Sequence, residues 1–159
     1  MNLPMYKIDI QKLLADMPDA SWFTHAQIFD DLLCVANKST ASFILKTSEG
    51  LIVIDAIYPK EEMFKAIVSA IEDIGWNPAD IRKFVITHGH FDHTSAVRPL
   101  LERYPDVPVY IHEKDSVTGR GGELLFTRVD EQHQRYYKEG DVLPLGGLSL
   151  RVMETPGHS

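Results

Sequence analysis

Ile81-Arg82-Lys83-Phe84-Val85-Ile86-Thr87-His88-Gly89-His90-Phe91-Asp92-His93 reads as a short strand that runs directly into three imidazoles and a carboxylate. A packing core has no reason to gather His88, His90, Asp92 and His93 there, because ionisable groups are rarely buried without partners. Either solvent or a cation must satisfy them, and a divalent metal does so best. On an extended segment alternate side chains point the same way, so His88, His90 and Asp92 share one parity and are expected to converge at the strand's carboxyl end. His93 breaks the parity, and two ligand sets facing different directions suit two metals better than one. Imidazole and carboxylate without thiolate favour zinc and leave manganese, iron or nickel open. Taken without a second motif, the cluster also fits a solvated polar loop.

Outward from this stretch the chain alternates strands and helices. Leu32–Ala36, Ala41–Thr47 and Leu51–Asp55 are short apolar runs separated by Asn37-Lys38-Ser39-Thr40 and Ser48-Glu49-Gly50, which predicts a meander of three strands. From Lys60 the period changes: Met63, Phe64, Ile67, Val68, Ile71 and Ile74 fall on one helical face and Gly75 supplies the stop. After the histidine cluster, Ser95–Tyr104 is expected to be helical, with Pro99 in the first turn or at a bend, and Val107–His112 to be a strand. Gly119–Gly122 is a glycine-rich bend, the stretch to Glu139 has no clear period, and Leu148–Glu154 alternates as a strand. That strand delivers the chain into Thr155-Pro156-Gly157-His158-Ser159. No repeat, low-complexity tract or linker interrupts this order.

The 159 residues, 44% hydrophobic and 25% charged, suffice for one buried core. A net charge of −7 argues against a nucleic-acid or acidic-membrane surface, which is met by clustered Lys and Arg. A small-molecule substrate fits better, and the oligomeric state is not legible. A single cysteine, Cys34, rules out a disulfide framework and a cysteine-based zinc cage, and reads most simply as a small buried apolar residue. Met1–Met17 carries no secretory pattern and no segment is long and apolar enough to span a bilayer, so the expectation is a cytoplasmic protein.

THGHFDH at residues 87–93, followed downstream by TPGHS at residues 155–159, resembles the metallo-β-lactamase superfamily. That family's HxHxDH motif and later Gly-His build a dinuclear site on an αββα sandwich, and the order of meander, helix and Lys138-Glu139-Gly140-Asp141 turn is similar too. The resemblance implies an α/β fold: one domain over residues 1–159, with the first half to two thirds of the sandwich present and the carboxyl end incomplete. It implies that His88, His90 and His158 hold a first metal and that Asp92 and His93 belong to a second. The family's bridging aspartate and last histidine would lie beyond Ser159.

The implied reaction is hydrolysis. Zinc lowers the pKa of bound water to about 7, so a zinc-bound hydroxide would attack a carbonyl without a serine or cysteine nucleophile, and Asp92 would orient it. Lactams, lactones, esters and thioesters are all candidate substrates. TPGHS departs from the TPCHT of glyoxalase II, and Thr94-Ser95 stand where small residues are common, which weakens a glyoxalase reading. Two rivals accompany this one: a non-catalytic or partner-dependent metal-binding fragment of the same fold, and a di-iron redox protein, although such proteins carry glutamate where His90 stands. His25, His112 and His133 are isolated and expected to be surface or hydrogen-bonded histidines. Asp55 ends an apolar strand and is either a turn cap or the acceptor for a metal-bound histidine. Gly119–Gly122 is expected to be a loop rather than an anion cradle, and Trp22 and Phe23 to cover the pocket or pack on the sheet.

Overall fold

The computed structural model describes residues 23–56, 60–115 and 131–158; Trp22 and Gly119–Gly122 lie outside them. Four antiparallel strands come first: β1 (Thr24–Phe29), β2 (Leu32–Ala36), β3 (Ala41–Thr47) and β4 (Gly50–Ile54). The predicted turn at residues 37–40 closes because Asn37 Oδ1 accepts from the backbone N–H groups of Ser39 and Thr40, both at 2.9 Å. The chain then switches to parallel pairing through helical crossovers. Helix α1 (Lys60–Asp73) leads to β5 (Ile81–Val85), and α2 (Phe91–Thr94) with α3 (Val97–Arg103) leads to β6 (Val109–His112). Strand β7 (Gln134–Tyr137) pairs parallel with β6, so the seven strands stand in the sheet in chain order.

One row of side chains across this sheet explains which face the helices cover. Leu33, Ile44, Val53, Phe84 and Val109 are successive partners on β2 to β6, and each is at most 1% exposed. They pack with Met63, Ile67 and Ile71 of α1 and with Val97 and Leu100 of α3. The period read for α1 is therefore its buried face. Its end is set by Gly75, whose φ of +76° lets its N–H reach the Glu72 carbonyl and Trp76 N–H reach Ile71, both at 2.9 Å. That double bond is the Schellman stop. Pro99 is the third residue of α3, in the first turn, where its missing N–H costs no helical bond.

The opposite face of the sheet is met by a hairpin, β8 (Val142–Leu145) and β9 (Leu148–Arg151), turned at Gly146 and Gly147 with both φ positive. Ile52, Val85 and Tyr137 form a second small core with Leu143, Leu150 and Val152. Lys83 Nζ donates to the Pro144 carbonyl at 2.8 Å and Ser48 Oγ to that of Gly146 at 2.6 Å, which docks the hairpin on the sheet.

Strands β1, β7 and β8 lie where the sequence shows no strand period. β1 and β7 are sheet edges: β1 has no fully buried position and β7 buries only Tyr137, so neither needs a clean apolar alternation. The strand read at 148–154 stops at Arg151, because Val152 instead bonds back to Asp141 and Gly140. Phe23 packs against the main core, and Cys34 is half-buried on β2. Among the described residues no helix is long and apolar enough to cross a membrane.

Candidate metal centre

Strands β4 and β5 end side by side, and Asp55 ties their ends together. Its N–H donates to the Val85 carbonyl at 2.8 Å, and the chain then turns with φ +61°, unusual for a residue with a side chain. The turn aims a buried carboxylate across the sheet end. Oδ1 accepts from Thr87 N–H at 2.8 Å, and Oδ2 from Thr87 Oγ1 at 2.8 Å and His93 Nδ1 at 2.9 Å. The Asp55 carbonyl accepts from Ser42 Oγ at 2.6 Å. Of the two readings for Asp55, acceptor for a site histidine is the observed one.

This network fixes two tautomers. Thr87 gives its hydroxyl proton to Asp55, so its oxygen accepts from His88 Nδ1, 3.1 Å away, and the His88 lone pair sits on Nε2. That Nε2 is buried with no hydrogen-bond partner. His93 in turn donates Nδ1–H to Asp55, so its neutral form presents Nε2 as a lone pair. Both rings are left with a ligand atom facing the site.

Gly89 lets the chain run close to Asp115, since a Cβ there would stand 3.0 Å from the Asp115 carbonyl oxygen. His90 comes next, in extended conformation, and caps α2 through its backbone: its carbonyl accepts from His93 N–H at 3.0 Å and Thr94 Oγ1 at 3.1 Å. From the far end of the chain, after Gly157 at φ +129°, His158 reaches His90 with 3.1 Å between Nε2 and His90 Nδ1. One nitrogen each of His88, His90 and His158 lies within 4.8 Å of the others. Two ligands on a tetrahedral zinc stand roughly 3.3 Å apart, so small side-chain shifts would close the set on an ion. A partnerless buried lone pair among imidazoles fits a divalent cation and has no purpose in an apolar core.

Asp92 and His93 follow on the helical turn, and the His93 ring stands against that of His88, with 4.1 Å between centroids. The expectation of a shared parity for Asp92 with His88 and His90 gives way here, because Phe91–Thr94 is a helical turn and not extended chain. Helical geometry swings Asp92 towards His93, with 3.9 Å between Oδ2 and His93 Nε2. Asp92 and His93 are thus neighbours for a helical reason and not an extended one. Burial and the neighbouring His93 and His90 push the His88 imidazole below its ordinary range, keeping it neutral. The hydrogen bond to Asp55 holds His93 above its ordinary range.

A cavity of about 620 Å³ opens beside the cluster. Ile54, Val85, Leu143 and Leu150 supply apolar wall, while Thr87, His88, His112, Tyr137, Glu154 and His158 supply polar groups. Tyr137 donates its hydroxyl to the Ile86 carbonyl, and burial drives its phenol well above the usual range. His112 is hydrogen-bonded, its Nδ1 accepting from Lys114 N–H at 3.2 Å. His25 lies 3.7 Å from Asp73, and His133 pairs with Gln132 outside the cavity. The isolation of His112, Tyr137 and Glu154 in sequence hides them; His112 and Tyr137 close β6 and β7, while Glu154 lies three residues past β9.

Comparison with known proteins gives a concordant answer. The family model described as the metallo-beta-lactamase superfamily matches residues 36–159. Hydroxyacylglutathione hydrolase of Rhodopseudomonas palustris is 36% identical over 93 residues, 58% of this chain and 31% of the relative. That of Francisella tularensis subsp. novicida is 33% identical over 116 residues, 73% of this chain and 38% of the relative. A solved subclass B3 metallo-beta-lactamase of Bradyrhizobium japonicum superposes with a TM-score of 0.70 at 28% identity, covering 96% of this chain and 57% of that one. The chain therefore spans about a third of the length of these curated relatives.

Proposed function

The chain belongs to the metallo-beta-lactamase superfamily, and from that premise we propose that it carries the metal-binding part of a hydrolase acting on a small carbonyl substrate, whether lactam, lactone, ester or thioester. The observation that carries this reading is the gathering of His88, His90 and His158 with a partnerless Nε2 on His88. In it, those three hold a first zinc, and Asp92 and His93 contribute to a second. A divalent metal held there supplies a water acidified to a pKa of about 7 and a Lewis acid for the oxygen that becomes negative.

The chain's own groups have distinct tasks. Thr87 and Asp55 hold His88 and His93 in the tautomers that leave Nε2 free, as partners behind metal ligands do. Asp92 is the one carboxylate at the cluster with a half-exposed side chain, placed to accept a hydrogen bond from the attacking water and to orient it. The adjoining cavity receives the body of the substrate against Leu143 and Leu150. His90 stands where di-iron members of the superfamily carry glutamate, which favours hydrolysis over redox chemistry.

Elemental analysis of the protein with and without H88A, beside assays on lactam, lactone and thioester probes, tests this. Bound zinc and turnover should both fall in the variant; unchanged metal content would sink the reading.

A further inference from the structure

Among the described residues, the exposed segment that brings in His158 has one side-chain anchor, Glu154. Glu154 lies four residues before His158, and its carboxylate reaches Lys114 Nζ with both oxygens, at 3.1 and 3.2 Å. Oε1 also lies 2.9 Å from His112 Nε2, close enough for an ion pair though off the line of a hydrogen bond. His112 ends β6 in a buried position, and its Nδ1 already accepts a backbone proton, so its Nε2 carries the hydrogen that faces Glu154. Backbone N–H of Glu154 adds a bond to Glu139. Beyond it, among the described residues, Thr155, Pro156 and Gly157 make no backbone hydrogen bond, and His158 meets only the rings of His88 and His90.

We propose that Glu154 is a positioning residue for His158: by gripping Lys114 and His112 at the end of β6, it sets where the last imidazole enters the metal centre. The inference rests on the metal-centre reading above. Pro156 stiffens the four-residue lever and Gly157 permits its single turn, so the position of Glu154 passes to His158 with few soft torsions between them. Lys114 holds the Glu154 carboxyl below the usual carboxylate range, so the grip persists across neutral pH. An exposed pair of this kind adds little to global stability. Its effect is local, on the entropy of ordering one ligand.

Competition with a chromophoric chelator, run on the full chain, reads the zinc affinity of the wild type, E154Q, H158A, the double variant and K114R. E154Q should weaken zinc about tenfold, the low end for a partner one step behind a ligand. K114R, which keeps a cation opposite the carboxylate, should retain wild-type affinity. In the H158A background E154Q should cost nothing further, because the group it acts through is gone. Equal loss in both backgrounds, unchanged affinity in E154Q, or a loss that tracks a lowered Tm of the metal-free protein each overturns the positioning role. A wild type that binds no zinc sinks the metal-centre reading itself, which distinguishes the two failures.

Discussion

Asp55 Oδ2 lies 2.9 Å from His93 Nδ1 across 38 residues of sequence, and the same carboxylate accepts two hydrogen bonds from Thr87. One buried side chain thereby ties the end of β4 to the end of β5 and to α2. Backbone bonds reinforce the tie, from Ala56 N–H to the His93 carbonyl at 2.8 Å and from Ala96 N–H to Ala56 at 2.9 Å.

Removing that carboxylate should cost more than any surface change. D55A takes the acceptor from three part-buried donors, two of them on exposed Thr87 where water can replace it, so a loss of roughly 1–3 kcal/mol in urea unfolding is expected. D55G should recover about 1 kcal/mol of that, because φ of +61° strains alanine and not glycine. If D55G proves no more stable than D55A, the backbone strain is absent.

In metal-free protein the two site imidazoles should pull stability in opposite directions with pH. His93 is raised by its hydrogen bond to Asp55, so its contribution is complete below the ordinary value of about 6.5 and is lost as pH rises through the folded value. His88 is lowered, chiefly by burial, so its contribution is intact above about 6.5 and is lost as pH falls through the folded value. H88Q should therefore gain stability relative to wild type on going from pH 8 to pH 5, and H93Q should lose it. Denaturation at both pH values with chelator present reads this; an H88Q difference independent of pH would contradict it.

Asp92 is proposed as the group that orients the attacking water. D92N keeps the size of the side chain and should lower kcat by about a hundredfold or more, the range for loss of a proton-handling group, while the trio of histidines keeps its zinc. Zinc stoichiometry measured beside kcat decides: loss of all metal would mean that Asp92 supports the first site as well.

Two glycines with positive φ should respond very differently to alanine. At Gly50, φ is +129° and a Cβ would run into the Asp80 carbonyl and approach Arg82 Cγ to 2.7 Å, so G50A should cost more than about 2 kcal/mol. Gly75 has open space around it, and G75A should cost only about 1 kcal/mol from the helix stop. Thermal unfolding of both variants separates clash from strain.

Legibility in the sequence tracks burial. The α1 face and strands β2 to β5 can be read because Met63, Ile67, Leu33 and Phe84 sit in a single dense core whose period the residues must obey. Edge strands β1 and β7 obey no such demand. At the site, His88, His90, Asp92 and His93 are visible as residue types at close spacing and His158 through the resemblance carried by TPGHS, whereas Asp55 is ambiguous because its role depends on φ of +61°, which no residue type encodes. Strand parity groups Asp92 with His88 and His90, and the helix at Phe91–Thr94 cancels that parity. Glu154 is invisible in sequence because its partner Lys114 lies 40 residues away in the chain.

Strand order equal to chain order has a consequence for assembly during synthesis. Each new strand finds its neighbour already made, from β1 to β7, so pairing never waits on a distant piece and loop-closure entropy stays small at every step. The β8–β9 hairpin and His158 are the exceptions: Gly146 meets Ser48 across 98 residues, and His158 joins His90 across 68. The arrival of His158 is thus the latest event of the described fold, and uptake of zinc during refolding should lag behind formation of the sheet.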